Sequence, residues 1–204
     1  MDASEKLAEI FKEFPGIGER QARRFVYFLM SRNPAYTDNL SSLIIELKKG
    51  TAQCAECFRF FTRRGNETVC DICADLQTDS TTLMIVEKDS DLESVKKSRT
   101  YNGKYFVLGG LVPIVEKSTP ARIRLAELTA KIKRDAKKGL KEIILAFSLS
   151  PQGDHTDYYI KSELAPIAEP LSIRISSLGR GLSTGTELEY SDNDTLKNAL
   201  KNRQ

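Results

Sequence analysis

The sequence predicts an α/β protein in which a mostly parallel sheet follows a small all-helical unit and a cysteine-bearing segment. Three observations carry this. From Thr82 onward, short apolar runs alternate with amphipathic stretches, the pattern of strands joined by crossover helices. Residues 1–50 show helical spacing only. The four cysteines lie between these regions, at positions 54, 57, 70 and 73.

Ser4 is placed to cap a first helix carrying Leu7, Ile10, Phe11 and Phe14 on one face. Pro15-Gly16-Ile17-Gly18 interrupts it, and a second helix runs from about 19 to 31 with Ala22, Phe25 and Leu29 inward. Asn33-Pro34 stops that helix. Asp38 then caps a third, which carries Leu40, Leu43, Ile44 and Leu47 and is closed by Gly50. The apolar faces of all these helices are assigned to core. Residues 51–77 hold the cysteines with too little apolar matter for a core, so they need a staple.

Residues 78–172 form the α/β part. Strands are expected at 83–86, 105–108 and 143–147, the second stopped by Gly109-Gly110. Helices are expected at 89–97 and 155–165. A longer one opens at Ser118-Thr119-Pro120, carries Leu125, Leu128, Ile132 and Ala136, and ends at Gly139. Residues 173–204 form a C-terminal segment: a strand at 173–175, then a tail that is glycine-rich from Gly179 and polar beyond.

The chain has 204 residues, 40% hydrophobic and 29% charged, enough for a real core. No apolar run nears the roughly 18–20 residues of a bilayer span. The first fourteen residues mix acids with apolar positions, unlike a signal peptide, so a cytoplasmic protein with no membrane partner is expected. Net charge is only +3, but its distribution is uneven: +3 over 1–64, −7 over 65–93, +10 over 94–141 and −3 over 142–204. A polarised surface that steers a polyanion and a solvated helix face with scattered lysines both fit this pattern.

Phe14-Pro15-Gly16-Ile17-Gly18 between two amphipathic helices reads as a helix-hairpin-helix, its glycines allowing a turn too tight for a Cβ. Such a turn presents the amides near Gly16 and Gly18 at a helix start, where the dipole favours a phosphate oxygen. Arg20, Arg23 and Arg24 follow on the first turns, which suits sequence-independent DNA contact. Glu19 opposes it. The alternative is a plain αα-corner.

Cys54-x2-Cys57-x12-Cys70-x2-Cys73 has zinc spacing, and four thiolates close a tetrahedral shell with no position for water, so the site is structural. Phe58, Phe60 and Phe61 are expected to pack around it rather than stack on bases. Glu87 ends a strand, where open α/β sheets place their sites. The loop after the third strand, Ser148 to Thr156, holds Asp154 and the only histidine, His155. No nucleophile stands beside His155, so hydrogen bonding or capping at the helix start is the expected role.

The order helix-hairpin-helix, four-cysteine site, α/β domain resembles the RecR family of recombination mediators, whose α/β part is a Toprim domain. The likeness covers nearly the whole chain. It includes Tyr105-Phe106-Val107-Leu108-Gly109-Gly110, Arg180-Gly181-Leu182, Gly185, Glu187-Leu188-Glu189-Tyr190 and Thr195-Leu196. Catalytic Toprim enzymes hold Mg²⁺ with a strand-end Glu and a later Asp-x-Asp. Here Glu87 matches the Glu, but Ser148 and Ser150 stand at the Asp-x-Asp positions, with Gln152 where the family often has an acid.

The resemblance therefore implies a non-catalytic, clamp-like mediator of recombinational DNA repair that helps load recombinase on gapped or single-stranded DNA. It implies zinc at the four cysteines and binding of RecO and, in some organisms, RecF, with Glu87 and Asp154 expected to shape that partner surface or weakly to hold a metal. It also implies a homo-oligomer, dimer or tetrameric ring, with subunit contacts through the helical unit and the C-terminal segment, in a bacterial, nucleoid-associated setting. The competing reading is a Mg²⁺-dependent Toprim nuclease, primase or topoisomerase-like enzyme. Family members usually have Pro at Glu19 and Lys at Arg20, and Pro and Gly are common at Ser183 and Thr186.

Overall fold

The computed structural model describes residues 1–115, 123–179, 181–182, 185 and 187–201. The expected helix opening at Ser118-Thr119-Pro120, and Arg180, Ser183 and Thr186 of the tail, lie outside them. The chain divides into two compact units, Met1–Thr51 and Ala52–Gln204.

The first unit is three helices: α1 (Ala3–Lys12), α2 (Glu19–Met30) and α3 (Pro34–Gly50). The cap of α1 is Asp2, not Ser4. The Asp2 carboxylate accepts the Glu5 amide at 2.9 Å while Glu5 takes the Asp2 amide at 3.1 Å, a reciprocal capping box. The cap of α3 is Asn33, five residues before the expected cap Asp38. Asn33 accepts the Tyr36 amide at 2.9 Å and Pro34 takes the first helical position, where its missing N–H costs nothing.

Phe11 packs edge-on against Phe14 and Phe25, with centroids 5.7 and 5.8 Å apart, and Ala22 and Val26 of α2 are buried. The assignment of every apolar helix face to core fails here. Helix α3 buries none of its residues, and Leu43, Ile44 and Leu47 are each more than half exposed, as is Ile10 of α1.

The second unit opens with a two-stranded ribbon, β1 (Thr51–Gln53) and β2 (Phe60–Thr62), and one helical turn, α4 (Asp71–Ala74). The sheet follows: β3 (Asp79–Val86), α5 (Asp89–Ser98), β4 (Gly103–Val107), α6 (Leu125–Ala136), β5 (Glu142–Ala146), α7 (Pro151–Ala168) and β6 (Arg174–Ser177). All pairings are parallel, in the order β4-β3-β5-β6, with Val86 opposite both Val107 and Ala146. Alternation sorts the strands into two faces. Leu83, Ile85, Phe106, Ile143 and Leu145 pack under Leu128 and Ile132 of α6 and Ile160 and Leu164 of α7. Met84, Val86, Tyr105, Val107 and Ala146 pack with Leu92 of α5.

The path passes from β3 to β4 on one side, then to β5 on the other. That reversal leaves a crevice outside the C-terminal ends of β3 and β5. The described α6 starts at Leu125. Helix α7 starts at Pro151 rather than 155, because Ser150 supplies its cap. The tail carries elements that the polar composition hid: a 3-10 turn (Leu188–Tyr190) and α8 (Asn193–Lys201). No described helix is long and apolar enough to cross a membrane.

Candidate metal centre and binding surfaces

The sulfurs of Cys54, Cys57, Cys70 and Cys73 all lie within 4.8 Å of one another, and those of Cys57 and Cys70 are 3.6 Å apart. A tetrahedron with bonds of about 2.3 Å sets sulfurs about 3.8 Å apart, so the cluster has the dimensions of a four-thiolate metal site. Cys54, Cys57 and Cys70 are fully buried and Cys73 is half-buried. The amides of Cys70 and Glu56 donate to the Cys54 sulfur at 3.3 and 3.4 Å, as they would to a thiolate.

The sulfurs are too close to titrate separately. Hydrogen bonds from Cys57, Cys70 and Cys73 hold Cys54 below the ordinary thiol range, while the bond to Cys54 pushes Cys57 above it. A soft, closed donor set of this kind suits Zn²⁺ and leaves no open coordination position. Phe61 packs against the sulfurs as expected, and Val69 and Ile72 pack there with it. Phe58 and Phe60 do not: Phe58 packs into the sheet core and Phe60 is 55% exposed.

Two charge clusters dock this segment on the sheet. Arg59 bridges Asp71 at 3.1 Å and Glu93 of α5 at 2.6 Å, and Lys96 holds Asp71 at 2.9 Å. Glu56 accepts from Arg134 and, at 3.4 Å, from Lys131 of α6, whose buried ammonium also meets Asp135 at 2.8 Å. Burial alone pulls the Lys131 ammonium down, but Asp135 and Glu56 outweigh it and hold it above the usual lysine range. Nothing in the sequence marks Glu56 or Arg59, whose partners lie far along the chain where no periodicity records them; Lys131 shows only an ordinary i,i+4 pair with Asp135, and its second partner Glu56 is distant.

At the helical turn, Gly16 adopts φ +76°, the left-handed region that favours glycine, and the Ile17 amide closes on the Phe14 carbonyl at 3.0 Å. The expected crowding is absent. A Cβ at Gly16 or Gly18 would meet nothing within 4 Å, and Gly18 has an ordinary extended backbone as the cap of α2. Only Gly16 is required, and by its dihedral. No side chain caps α2. Arg20, Arg23 and Arg24 are all exposed on its first turns; Arg23 pairs with Glu19 at 2.8 Å and Arg24 donates to Gln21 at 3.3 Å.

At the sheet's C-terminal end, Glu87 is half-buried just beyond β3 and its carbonyl accepts the Gly109 amide at 2.9 Å. The Ser148 and Ser150 hydroxyls lie 3.0 Å apart, and Ser150 Oγ accepts the Gly153 amide at 3.1 Å. Gly153 is fixed by space: a Cβ there would stand 2.0 Å from the Ser148 carbonyl oxygen. Asp154 is exposed on the first turn of α7. His155 lies inside that helix, half-buried, so it does not cap its start. Among the described residues the four cysteines are the one His/Cys/Asp/Glu group tight enough for a metal; Glu87 and Asp154 belong to no such trio.

Residues 81–176 match the Toprim domain family and residues 181–204 match the family described as RecR, C-terminal. The Recombination protein RecR of Bacteroides thetaiotaomicron is 34% identical over 199 residues, covering 98% of this chain and 92% of that protein. That of Lactobacillus acidophilus is 31% identical over 200 residues, 97% and 94% of the two chains. That of Thermosynechococcus vestitus is 33% identical over 199 residues, 98% and 93%.

Proposed function

The chain belongs to the RecR family of recombination proteins, and from that premise we propose that it is a non-catalytic, DNA-binding clamp of recombinational repair. A role in recombination and repair follows from the family itself. The finer reading assigns residues 1–50 to DNA contact, 51–77 to a zinc staple, 78–172 to partner docking and 173–204 to subunit contact. Arg20, Arg23 and Arg24, with the amides near Gly16 and Gly18, take backbone phosphates. Cys54, Cys57, Cys70 and Cys73 hold Zn²⁺. When bound, zinc supplies only a rigid tetrahedral crosslink; the residues around it do the docking.

The observation that carries the non-catalytic reading is the Ser148–Ser150 pair. Two hydroxyls 3.0 Å apart, one of them engaged in capping α7, stand where an Mg²⁺ site needs carboxylates. The surrounding surface suits a protein instead. Ile114 and Val115 beyond β4 and Leu149 beyond β5 are 58%, 91% and 70% exposed, apolar side chains at the same end of the sheet as Glu87. This end, with Asp154, is assigned to RecO and, in some organisms, RecF, for loading recombinase on gapped or single-stranded DNA.

The exposed apolar face of α3 supports a homo-oligomer, dimer or tetrameric ring, in which weak phosphate contacts add across subunits. The setting is the bacterial nucleoid. A gel shift on gapped duplex at low salt, run beside incubation with Mg²⁺ and supercoiled, nicked and single-stranded DNA, tests the reading. Binding without turnover supports it. Turnover that disappears in Glu87→Gln overturns it in favour of a Toprim enzyme.

A further inference from the structure

The cysteine segment reaches the end of the sheet where Glu87 lies. The Cys57 carbonyl accepts the amide of Val107, the last residue of β4, at 2.8 Å. The next two amides of that strand end, Leu108 and Gly109, donate to the Val86 and Glu87 carbonyls at 2.8 and 2.9 Å. Hydrogen bonds therefore lead from a cysteine of the cluster, along one strand end, to the backbone of Glu87.

Phe58 lies beside this path in a costly conformation. It directly follows Cys57 and sits at φ +62°, which a bulky side chain adopts only where its surroundings over-determine it. Its amide closes the first knuckle on the Cys54 carbonyl at 3.0 Å. Its ring does not serve the sulfurs. It meets Phe106 edge-on with centroids 5.4 Å apart, and the Arg124 guanidinium lies 5.4 Å over its face. Arg124 donates through its side chain to the Val107 carbonyl at 2.9 Å and through its backbone amide to the Leu108 carbonyl at 3.0 Å. Arg124 thus holds the carbonyls of Val107 and Leu108, and Phe58 backs Arg124 while packing on Phe106 one residue earlier in the strand.

We propose that Phe58 and Arg124 are positioning residues that couple metal at the four cysteines to the order of residues 107–109, beside Glu87. With metal bound, the Cys54–Cys57 knuckle keeps Phe58 left-handed and the Cys57 carbonyl aimed at Val107. Without it, Phe58 relaxes, Val107 loses its acceptor, and the strand end loosens while the rest of the sheet persists. The coupling rests on the reading of the cysteines as a metal site. It makes partner docking at Glu87 metal-dependent without any partner touching the metal.

Hydrogen exchange on the full-length protein, read residue by residue, tests this. As-purified protein with metal content measured is compared with protein stripped by chelator under reducing conditions. Stripping is expected to speed exchange at residues 107–109 at least tenfold and to leave β5 and β6 unchanged. Phe58→Ala and Arg124→Gln, each shown to retain full metal, are expected to speed the same amides, and Phe58→Tyr to restore protection. Wild-type protection of 107–109 in stripped protein, or in metal-loaded Phe58→Ala, overturns the coupling. Uniform acceleration across β3 to β6 also overturns it, because that marks general loss of stability. Wild-type protein that binds no metal refutes the metal reading and the coupling with it, and metal analysis separates that outcome from the others.

Discussion

The hydroxyl of Ser150 lies 3.0 Å from that of Ser148 and accepts the Gly153 amide, so the side chain that the Toprim likeness sets at an acidic position also starts α7. Ser150→Ala therefore tests structure rather than chemistry. Losing the cap is expected to cost about 1 kcal/mol, about 2–4 °C of melting temperature for a chain of this size. DNA binding is expected to stay at the wild-type level. Thermal melting and a gel shift on the same preparation check both halves.

The three arginines of α2 are not equivalent. Among the described residues Arg20 has no acidic partner, whereas Arg23 is held by Glu19 at 2.8 Å. Substituting Arg20 and Arg24 by Ala is expected to weaken DNA binding and flatten its salt dependence by about 0.9 in log–log slope for each phosphate no longer neutralised. Arg23→Ala is expected to do less, and Glu19→Gln to strengthen binding at low salt by releasing Arg23. Titrations of fluorescent gapped duplex at several salt concentrations measure the slope. An unchanged slope for the double variant would reject this turn as the DNA site.

Metal removal makes a separate prediction. Among local elements residues 51–77 own only a ribbon of two three-residue strands and one helical turn, so a metal held by the four cysteines would be their main local constraint. Chelation is expected to open them to protease while α6 and α7, packed on the sheet, stay protected. Metal analysis should return one zinc per chain before chelation. Limited proteolysis with mass analysis of the fragments checks the expectation; a stripped protein as resistant in 51–77 as the loaded one contradicts it.

The sheet was legible because its strands are apolar on both faces and its helices amphipathic, so the period changes cleanly at Thr82. The cysteine cluster was legible because metal chemistry fixes ligand spacing locally. Caps were read less well. Asp2 and Ser4 are both competent caps two residues apart, and only the reciprocal bond from Glu5 chooses Asp2. Pro34 reads equally as a stop or as a first helical residue. The apolar pattern of α3 correctly gave a helix but misplaced its face, because periodicity shows that a face wants cover without showing what covers it. Glu56 and Arg59 were invisible because their partners lie 12 to 78 positions away, and Lys131 because its near partner Asp135 reads as an ordinary i,i+4 surface pair while Glu56 lies 75 positions away.

Lys131 should be among the most sensitive charged residues of the second unit. Its side chain is 6% exposed and serves both Glu56 and Asp135. Removing it leaves two carboxylates with only Arg134 between them. Lys131→Met is expected to cost about 2–3 kcal/mol, near the low end for breaking a buried pair because Arg134 remains. Lys131→Met with Asp135→Leu should recover part of the loss by removing the stranded charge. Denaturant melts of the two variants, compared by midpoint at equal slope, decide it.

Acid stability has an identifiable contributor at the edge of the sheet. Glu142 at the start of β5 accepts from the Ser176 hydroxyl at 2.6 Å and from Arg174 at 2.7 Å, tying β5 to β6. The Ser176 bond first, and Arg174 with it, hold the Glu142 carboxyl below its usual range. A carboxyl depressed in the folded state adds stability that is fully present above its unfolded value, about 4.3, and is lost as pH falls through the lower folded value. The stability difference between wild type and Glu142→Gln should therefore be constant from neutral pH down to about 5 and shrink below it. Urea melts at half-unit pH steps measure that difference. A gap that widens on acidification would mean the carboxylate is not the stabilised form, and the Ser176 and Arg174 bonds would then lose their assigned role.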